Sequence, residues 1–388
     1  MNKSICLYIA NFIYKFGGTE SYTANLIEAL QNINSQFKIT VITEYFKNTK
    51  KLTVKELADR TNNAYGTKIS SSNFSIEYIL STDKKSRLDY FLFEKKLQKI
   101  TKKYDIFFYC SRGLLTGKAK TNIAIIHFPM DKKGSFPVYQ KFKLLKPIAR
   151  ITDNNYKNSY SYFIPNSNFT AYWLKEKWQI PESKVKILYP PVTIVEGKYN
   201  KIPYSIFVSS RIEKSKKIEE LIQAYTKSEF LSQNCTLTIA GSIKNEAPEY
   251  KDYLTKLNPK VNFIFEPDRA QIEELYKTSV VFWHAKGYKE TNPYNMEHFG
   301  ITTVEAMSAG CIPVVINKAG QKEIVTDECG FKWDTTQELV SNTEYIFSHP
   351  QEAKLLSANS IKRSKIFSKE NYTIQMNSFI NSLNNEDK

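Results

Sequence analysis

Cysteine is scarce in this chain. Five residues, Cys6, Cys110, Cys235, Cys311 and Cys329, are spread along it, odd in number and without C-x-x-C spacing. That argues against a disulfide framework and a paired-cysteine zinc site, and it suits a reducing compartment. Histidine is scarcer still, at four residues, so a catalytic histidine has few candidates. No apolar run approaches the ~20 residues that a membrane-spanning helix requires. The opening MNKSICLYIANFIYKF has the outline of a signal peptide, but Asn11 interrupts its apolar stretch and no small-residue cleavage site follows. CLYIA reads as a first buried strand instead. The dinucleotide fingerprint G-x-G-x-x-G is also missing.

Basic charge, by contrast, is plentiful. The net charge is +16, from 55 Lys and Arg against 39 Asp and Glu. Residues 1–195 carry 31 Lys and Arg against 14 Asp and Glu, whereas residues 196–388 carry 24 against 25. Such an asymmetry implies that one half faces a polyanion: nucleic acid, an anionic membrane or a phosphate-bearing acceptor. The remaining composition, 41% apolar and 24% charged, is that of a soluble globular chain. The length suffices for two domains of roughly 190 residues, each with its own core.

Short apolar runs alternate with amphipathic stretches. In the first half CLYIA (6–10), KITVIT (38–43), DIFFYC (105–110), NIAIIHF (122–128) and SYFIPN (161–166) read as strands, with helices over 19–30, 87–104 and 168–178. In the second half the strands are YSIFVSS (204–210), CTLTIAG (235–241), VNFIFE (261–266), SVVFWHA (279–285) and IPVVIN (312–317), with helices over 216–225, 270–278 and 302–309. Continuous Val, Ile and Phe runs suit strands covered on both faces, and β–α alternation implies parallel sheets. The expectation is an α/β chain of two doubly wound, Rossmann-like domains with a cleft between them. Their bounds are 1–192 and 204–367, joined by a linker over 193–203 that Pro190-Pro191 announces, with a helical tail over 368–388 packing back on the first domain.

Four stretches carry candidate chemistry. In FGGTE, Gly17 and Gly18 allow a tight strand-to-helix turn and a close approach of backbone to a ligand, although an ordinary capped turn uses the same residues. His127 closes a buried strand ahead of Pro129, where open α/β sheets bind ligands; it suits a hydrogen bond to a sugar hydroxyl or a developing charge, or a structural role. After YSIFVSS, Arg211 and Lys216 suit a diphosphate, while Lys214 and Lys217 read as solvated. The fourth stretch, TNPYNMEHFGITTVEAMSAG (291–310), sets Glu297 and Glu305 eight positions apart. Gly300 admits a close neighbour, and the N–H groups of Ile301, Thr302 and Thr303 open a helix between the acids. That makes an anion site flanked by two acceptors for hydroxyls. Paired carboxylates also suit acid/base hydrolysis, but a phosphate pocket between them fits a nucleotide sugar better.

FGGTE, SRIEKSK and EHFGITTVEAMSAGCIPVV, in this order, resemble retaining glycosyltransferase family 4 of the GT-B type, whose signature is the E-x7-E pattern seen here as EHFGITTVE. IHFP, PNSNFTAYWL, LYPPV and NMEHFGITTVEAMSAG look most like the branch with the eukaryotic mannosyltransferases of lipid-linked oligosaccharide assembly. The likeness runs over nearly the whole chain, strongest over 204–330 and weak over 44–104. It implies that Gly18, with Gly17 beside it, lies against the donor phosphate or sugar, and that His127 lies beside the transferred sugar. Arg211 and Lys216 would neutralise the diphosphate leaving group. Glu297 would bind sugar hydroxyls beside the backbone N–H groups of Phe299, Gly300, Ile301 and Thr302, and Glu305 would bind the ribose. Catalysis would rest on His127, Arg211, Lys216 and Glu297, with retention of anomeric configuration.

No D-x-D occurs in the chain, in keeping with that family's independence of metal. No cofactor is expected beyond the donor, a nucleoside-diphosphate sugar with GDP-mannose favoured. Ala319-Gly320-Gln321 departs from the Gly-Gly of many members. The basic half suits a lipid-linked or glycan acceptor at an anionic membrane surface, which places the protein in the cytoplasm on the inner face of the plasma membrane. Its candidate surfaces are KKLQKITKK (95–103) and DKKGSFPVYQKFKLLKPIAR (131–150). Two alternatives stay open: a nucleotide-sugar epimerase or phosphorylase on the same fold, and a basic nucleic-acid-binding protein, although no nucleic-acid module is recognisable.

Overall fold

The computed structural model describes residues 3–14, 17–81, 87–113, 115–129, 156–243 and 248–385. The chain divides into two compact units, residues 1–191 with 372–388, and residues 192–371. In the first unit, β1 (Ser4–Ile9), β2 (Lys38–Tyr45), β3 (Phe74–Leu80), β4 (Ile106–Tyr109), β5 (Thr121–Ile126) and β6 (Tyr162–Pro165) form one parallel sheet in the order β3-β2-β1-β4-β5-β6. In the second, β7 (Ser205–Ser209), β8 (Thr236–Gly241), β9 (Asn262–Phe265), β10 (Val281–His284), β11 (Ile312–Ile316) and β12 (Phe331–Trp333) form another in the order β12-β11-β10-β7-β8-β9. Both sheets have Rossmann connectivity. Three strands grow outward one way, then the chain returns to the first strand and grows the other way. The reversal sits between β1 and β4 in one unit and between β7 and β10 in the other, and ligands of such sheets bind outside the strand carboxyl ends there.

The period of two along a strand explains why the central strands are apolar throughout. On β1, Ile5, Leu7 and Ile9 enter one core while Cys6 and Tyr8 enter another on the opposite face. On β7, Ile206 and Val208 face one way and Phe207 the other. Parallel neighbours need crossovers, and helices supply them: α1 (Gly18–Ile33), α2 (Val54–Tyr65) and α3 (Arg87–Thr101) lie between the first four strands. Helix α2 starts with a capping box, in which Thr53 accepts from the Glu56 N–H and Glu56 accepts from the Thr53 N–H. The helix Lys369–Asn385 contributes Tyr372, Met376, Phe379, Ile380 and Leu383, one helical face, to the first unit's core.

Two strands escape the apolar-run reading, and both are edge strands. β3 is only partly buried, and its Glu77 pairs with Lys103 at 3.1 Å; β12 has three residues. The stretch 193–203 is not a free linker, which corrects the sequence expectation. Val195 is buried in the second unit and its N–H donates to Ser308 Oγ at 2.9 Å, while the Tyr199 hydroxyl donates to Ser308 O at 3.1 Å. The apolar residues of this stretch find a core only by lying along the helix Ile301–Ser308. Among the described residues no helix is long and apolar enough to cross a membrane. The segment 131–150 lies outside the described residues.

Candidate functional site

The second unit's reversal point is built by the chain leaving β7 and the chain leaving β10. Beyond β7, the Ser210 N–H donates to Ala240 O at 3.1 Å and the Ile212 N–H to Ser242 O at 2.8 Å, so the loop keeps running beside β8. This contact requires glycine at 241, where a Cβ would fall 1.6 Å from Ser210 O. A turn over Lys214–Lys216 follows, and Lys217 (φ 59°, ψ 38°) leads into the helix Ile218–Lys227. Lys217 pairs with Glu290 at 3.0 Å, and Lys214 sits over the Tyr250 ring. Neither is simply solvated, because each meets a partner far along the sequence.

The loop beyond β10 brings Glu297 into a cluster of cations. Its Oε2 is 3.1 Å from Lys216 Nζ, 3.5 Å from His284 Nε2 and 3.9 Å from Lys286 Nζ. Burial raises the Glu297 carboxyl, but Lys216, Lys286 and His284 outweigh it and hold the group well below the usual carboxylate range. Burial lowers the Lys286 ammonium, Glu297 opposes this, and Lys216 and Arg211 add to it. Arg211 itself turns to Glu213 at 3.0 Å and stays largely exposed. The three residues expected to act on a diphosphate and sugar, Arg211, Lys216 and Glu297, thus share one neighbourhood, with Lys216 in direct contact with the acid.

Glu305 has different surroundings. It is buried in the second turn of Ile301–Ser308; its Oε1 accepts from Arg269 Nη1 at 2.6 Å and its Oε2 from the Tyr276 hydroxyl at 3.2 Å. A further hydroxyl donor would use the second lone pair of either oxygen. Gly300 has φ 129°, and a Cβ there would fall 2.3 Å from Gln321 Nε2. The helix therefore starts on glycine, and the N–H groups of Ile301 and Thr302 precede its first internal bonds, which run from Thr303 and Val304 to Gly300 O. Phe299 is buried, its ring edge-on to Phe367. The Ala319-Gly320-Gln321 segment braces this loop from beneath: the Gly320 N–H donates to Glu297 O at 2.9 Å, and the buried Gln321 accepts from the Thr303 hydroxyl at 3.0 Å.

Gly17, Gly18 and His127 belong to the first unit. Gly17 is the cap of α1, and Gly18, its first residue, is exposed with open space where a Cβ would stand. His127 follows β5, and its ring lies edge-on to Tyr22 of α1, 5.5 Å between centroids. All three sit on the carboxyl edge of the first sheet.

Sequence reasoning missed His284, Lys286, Arg269 and Tyr276. His284 was legible by the argument that singled out His127, a histidine closing a buried strand; the other three act through contacts that spacing does not reveal. Burial, opposed by Glu297 and supported by Lys216 and Lys286, holds the His284 imidazole below its ordinary pKa. Unfolded His and Glu ionise near about 6.5 and about 4.3. Both folded values are depressed, so each group's contribution is complete above its unfolded value and is lost as pH falls below it. Melting temperature should therefore begin to fall below about pH 6.5, steepening below about pH 4.3. The His284→Asn variant should lack the upper part of that decline; an unchanged slope in thermal melts across this range contradicts the assignment.

Residues 195–363 match the family model described as Glycosyl transferases group 1. The chain is 24% identical over 245 residues to the GDP-Man:Man(3)GlcNAc(2)-PP-Dol alpha-1,2-mannosyltransferase of Dictyostelium discoideum, a match covering 57% of this chain and 47% of that protein. The chain thus spans about half the length of this curated relative. Among solved structures, a glycosyltransferase from Rickettsia africae ESF-5 superposes with a TM-score of 0.69 at 18% identity, covering 98% of this chain and 97% of that one. Anabaena Alr3699/HepE, solved in complex with UDP-glucose, gives a TM-score of 0.68 at 16% identity, covering 98% and 100%. These likenesses show the GT-B fold.

Proposed function

We propose that this chain, whose residues 195–363 match the glycosyl transferases group 1 model, transfers a hexose from a nucleoside-diphosphate sugar to a lipid-linked or polysaccharide acceptor. Retention of anomeric configuration and independence of metal belong to the same reading, as does a place on the inner face of the plasma membrane. GDP-mannose is the favoured donor, in line with the D. discoideum relative, whose name carries GDP-Man and a PP-Dol acceptor. The observation that carries the reading is the Glu297 cluster: one carboxylate oxygen collects Lys216, His284 and Lys286 just ahead of the helix that opens at Gly300.

The arrangement suits the chemistry. As the glycosidic bond breaks, negative charge grows on the departing diphosphate. Lys216, Lys286, Arg211 and the first N–H groups of Ile301–Ser308 are preorganised donors for that charge. Glu297 accepts from a sugar hydroxyl, and the Lys216 pairing keeps it ionised for that purpose. Glu305 accepts from the ribose, with Arg269 and Tyr276 fixing its orientation. In the first unit, Gly18 leaves open space at the start of α1.

Thermal-shift measurements with GDP-, UDP-, ADP- and dTDP-sugars test the donor site. A ligand at a hundred times its Kd stabilises by about 2.7 kcal/mol, so a clear upward shift is expected, largest with GDP-mannose. No shift with any of the four removes the donor reading; a shift confined to another base corrects the donor alone.

A further inference from the structure

Glu266 stands in a backbone conformation that a glutamate rarely adopts. It follows β9 at the carboxyl edge of the second sheet and has φ 51°. That is the left-handed region, which a residue with a Cβ occupies only where its surroundings hold it. Two bonds to the chain leaving β8 do so. The register sets Gly241 opposite Phe265, and the Glu266 N–H donates to Gly241 O at 3.1 Å. The side chain crosses the same gap, where Oε1 accepts from the Ile243 N–H at 2.7 Å. An exposed carboxylate is thereby fixed over the ends of β8 and β9. Glycine or asparagine would take this turn at less cost, but neither would place a carboxylate there.

The hydrogen-bonding capacity of this rim is one-sided. The N–H groups of Ile243 and Glu266 are spent within it, and Pro267 has none. The Asp268 N–H donates to Gln271 Oε1 at 2.9 Å in the capping box of the next helix, Arg269–Thr278. Backbone donors over 266–268 are therefore used or missing. What the rim offers a ligand is acceptors: the Pro267 carbonyl and the Glu266 carboxylate, whose lone pairs one bond to Ile243 does not exhaust. The same segment runs on to Arg269, whose guanidinium reaches Glu305 at 2.6 Å. A base joined to a ribose at Glu305 lies beside the segment that supplies Arg269.

We propose that Glu266 selects guanine as the base of the donor, accepting from its N1–H and its 2-amino group. Guanine alone among the bases sets two donors side by side on one edge. Uracil and thymine flank a single N3–H with carbonyl oxygens, which a fixed carboxylate repels, and adenine sets an acceptor beside its amino group. Selection thus comes from a matched edge and from a repulsive one. The inference rests on the donor reading above and names the residue that chooses the base within that site.

Titration calorimetry of the full chain with GDP, inosine diphosphate and UDP tests it. Inosine keeps N1–H and lacks the 2-amino group. The wild type should bind GDP at least about tenfold more tightly than inosine diphosphate, the usual worth of a hydrogen bond to a charged group, and UDP more weakly still. Glu266→Gln keeps one oxygen for the Ile243 N–H and turns the other into a donor. It should weaken GDP at least about tenfold, bring GDP and inosine diphosphate within about threefold of each other, and leave UDP no weaker. An unchanged melting curve without nucleotide shows that the turn is intact. Wild-type protein that binds inosine diphosphate as tightly as GDP, or UDP more tightly, overturns the base assignment and leaves the donor site standing. So does a glutamine variant that weakens all three alike. Failure of the wild type to bind any of them removes the donor reading, and this inference with it.

Discussion

Lys216→Ala should lose about a hundredfold or more in turnover, the usual effect of removing one preorganised partner of a developing negative charge, about 2.7–4 kcal/mol. Two geometric facts make Lys216 the more sensitive of the two expected cations. Its side chain is 14% exposed and touches Glu297, whereas that of Arg211 is 56% exposed and pairs with Glu213. Water screens the second charge more than the first. Arg211→Ala should therefore lose about tenfold, less than Lys216→Ala but in the same direction. Steady-state kcat and KM, with melting curves to verify the fold, check both. Near wild-type turnover in the two variants removes the diphosphate role.

Glu297→Gln should combine the largest loss of turnover with a loss of stability, because it removes the carboxylate that Lys216, Lys286 and His284 all face. Breaking a fully buried ion pair typically costs about 3–5 kcal/mol. Glu297 keeps 21% of its side chain exposed, so roughly 2–3 kcal/mol is expected here. The glutamine preserves shape and isolates the charge. A diphosphate brings its own anion to the same cations, so nucleoside diphosphate should stabilise the variant at least as much as the wild type while turnover stays at least about a hundredfold down. Denaturant unfolding with and without the diphosphate measures the first, and steady-state assays the second. Unchanged stability shows that the cluster is too well solvated to matter.

Much of the fold was legible because its signals are local. Central strands such as CLYIA and IPVVIN bury both faces, and their continuous apolar runs say so. β3 and β12 were not legible, since an edge strand needs neither a long run nor apolar residues on both faces. Val195 and Tyr199 read as linker after two prolines, yet their side chains find a core in the second unit. Lys217 read as solvated because its partner, Glu290, lies far along the sequence.

By itself the sequence determined two doubly wound α/β units, the strand ends at which open α/β sheets bind ligands, and the candidate acids, cations and glycines at those ends. Each rests on periodicity or on neighbours within a turn or two. The tertiary structure alone decided which charges meet. Lys216 and Glu297 are 81 positions apart, and Arg269 and Glu305 are 36 apart. A side chain's electrostatic surroundings are set by which strand lies beside which, and the reversal that puts β7 next to β10 brings Lys216, His284, Lys286 and Glu297 together.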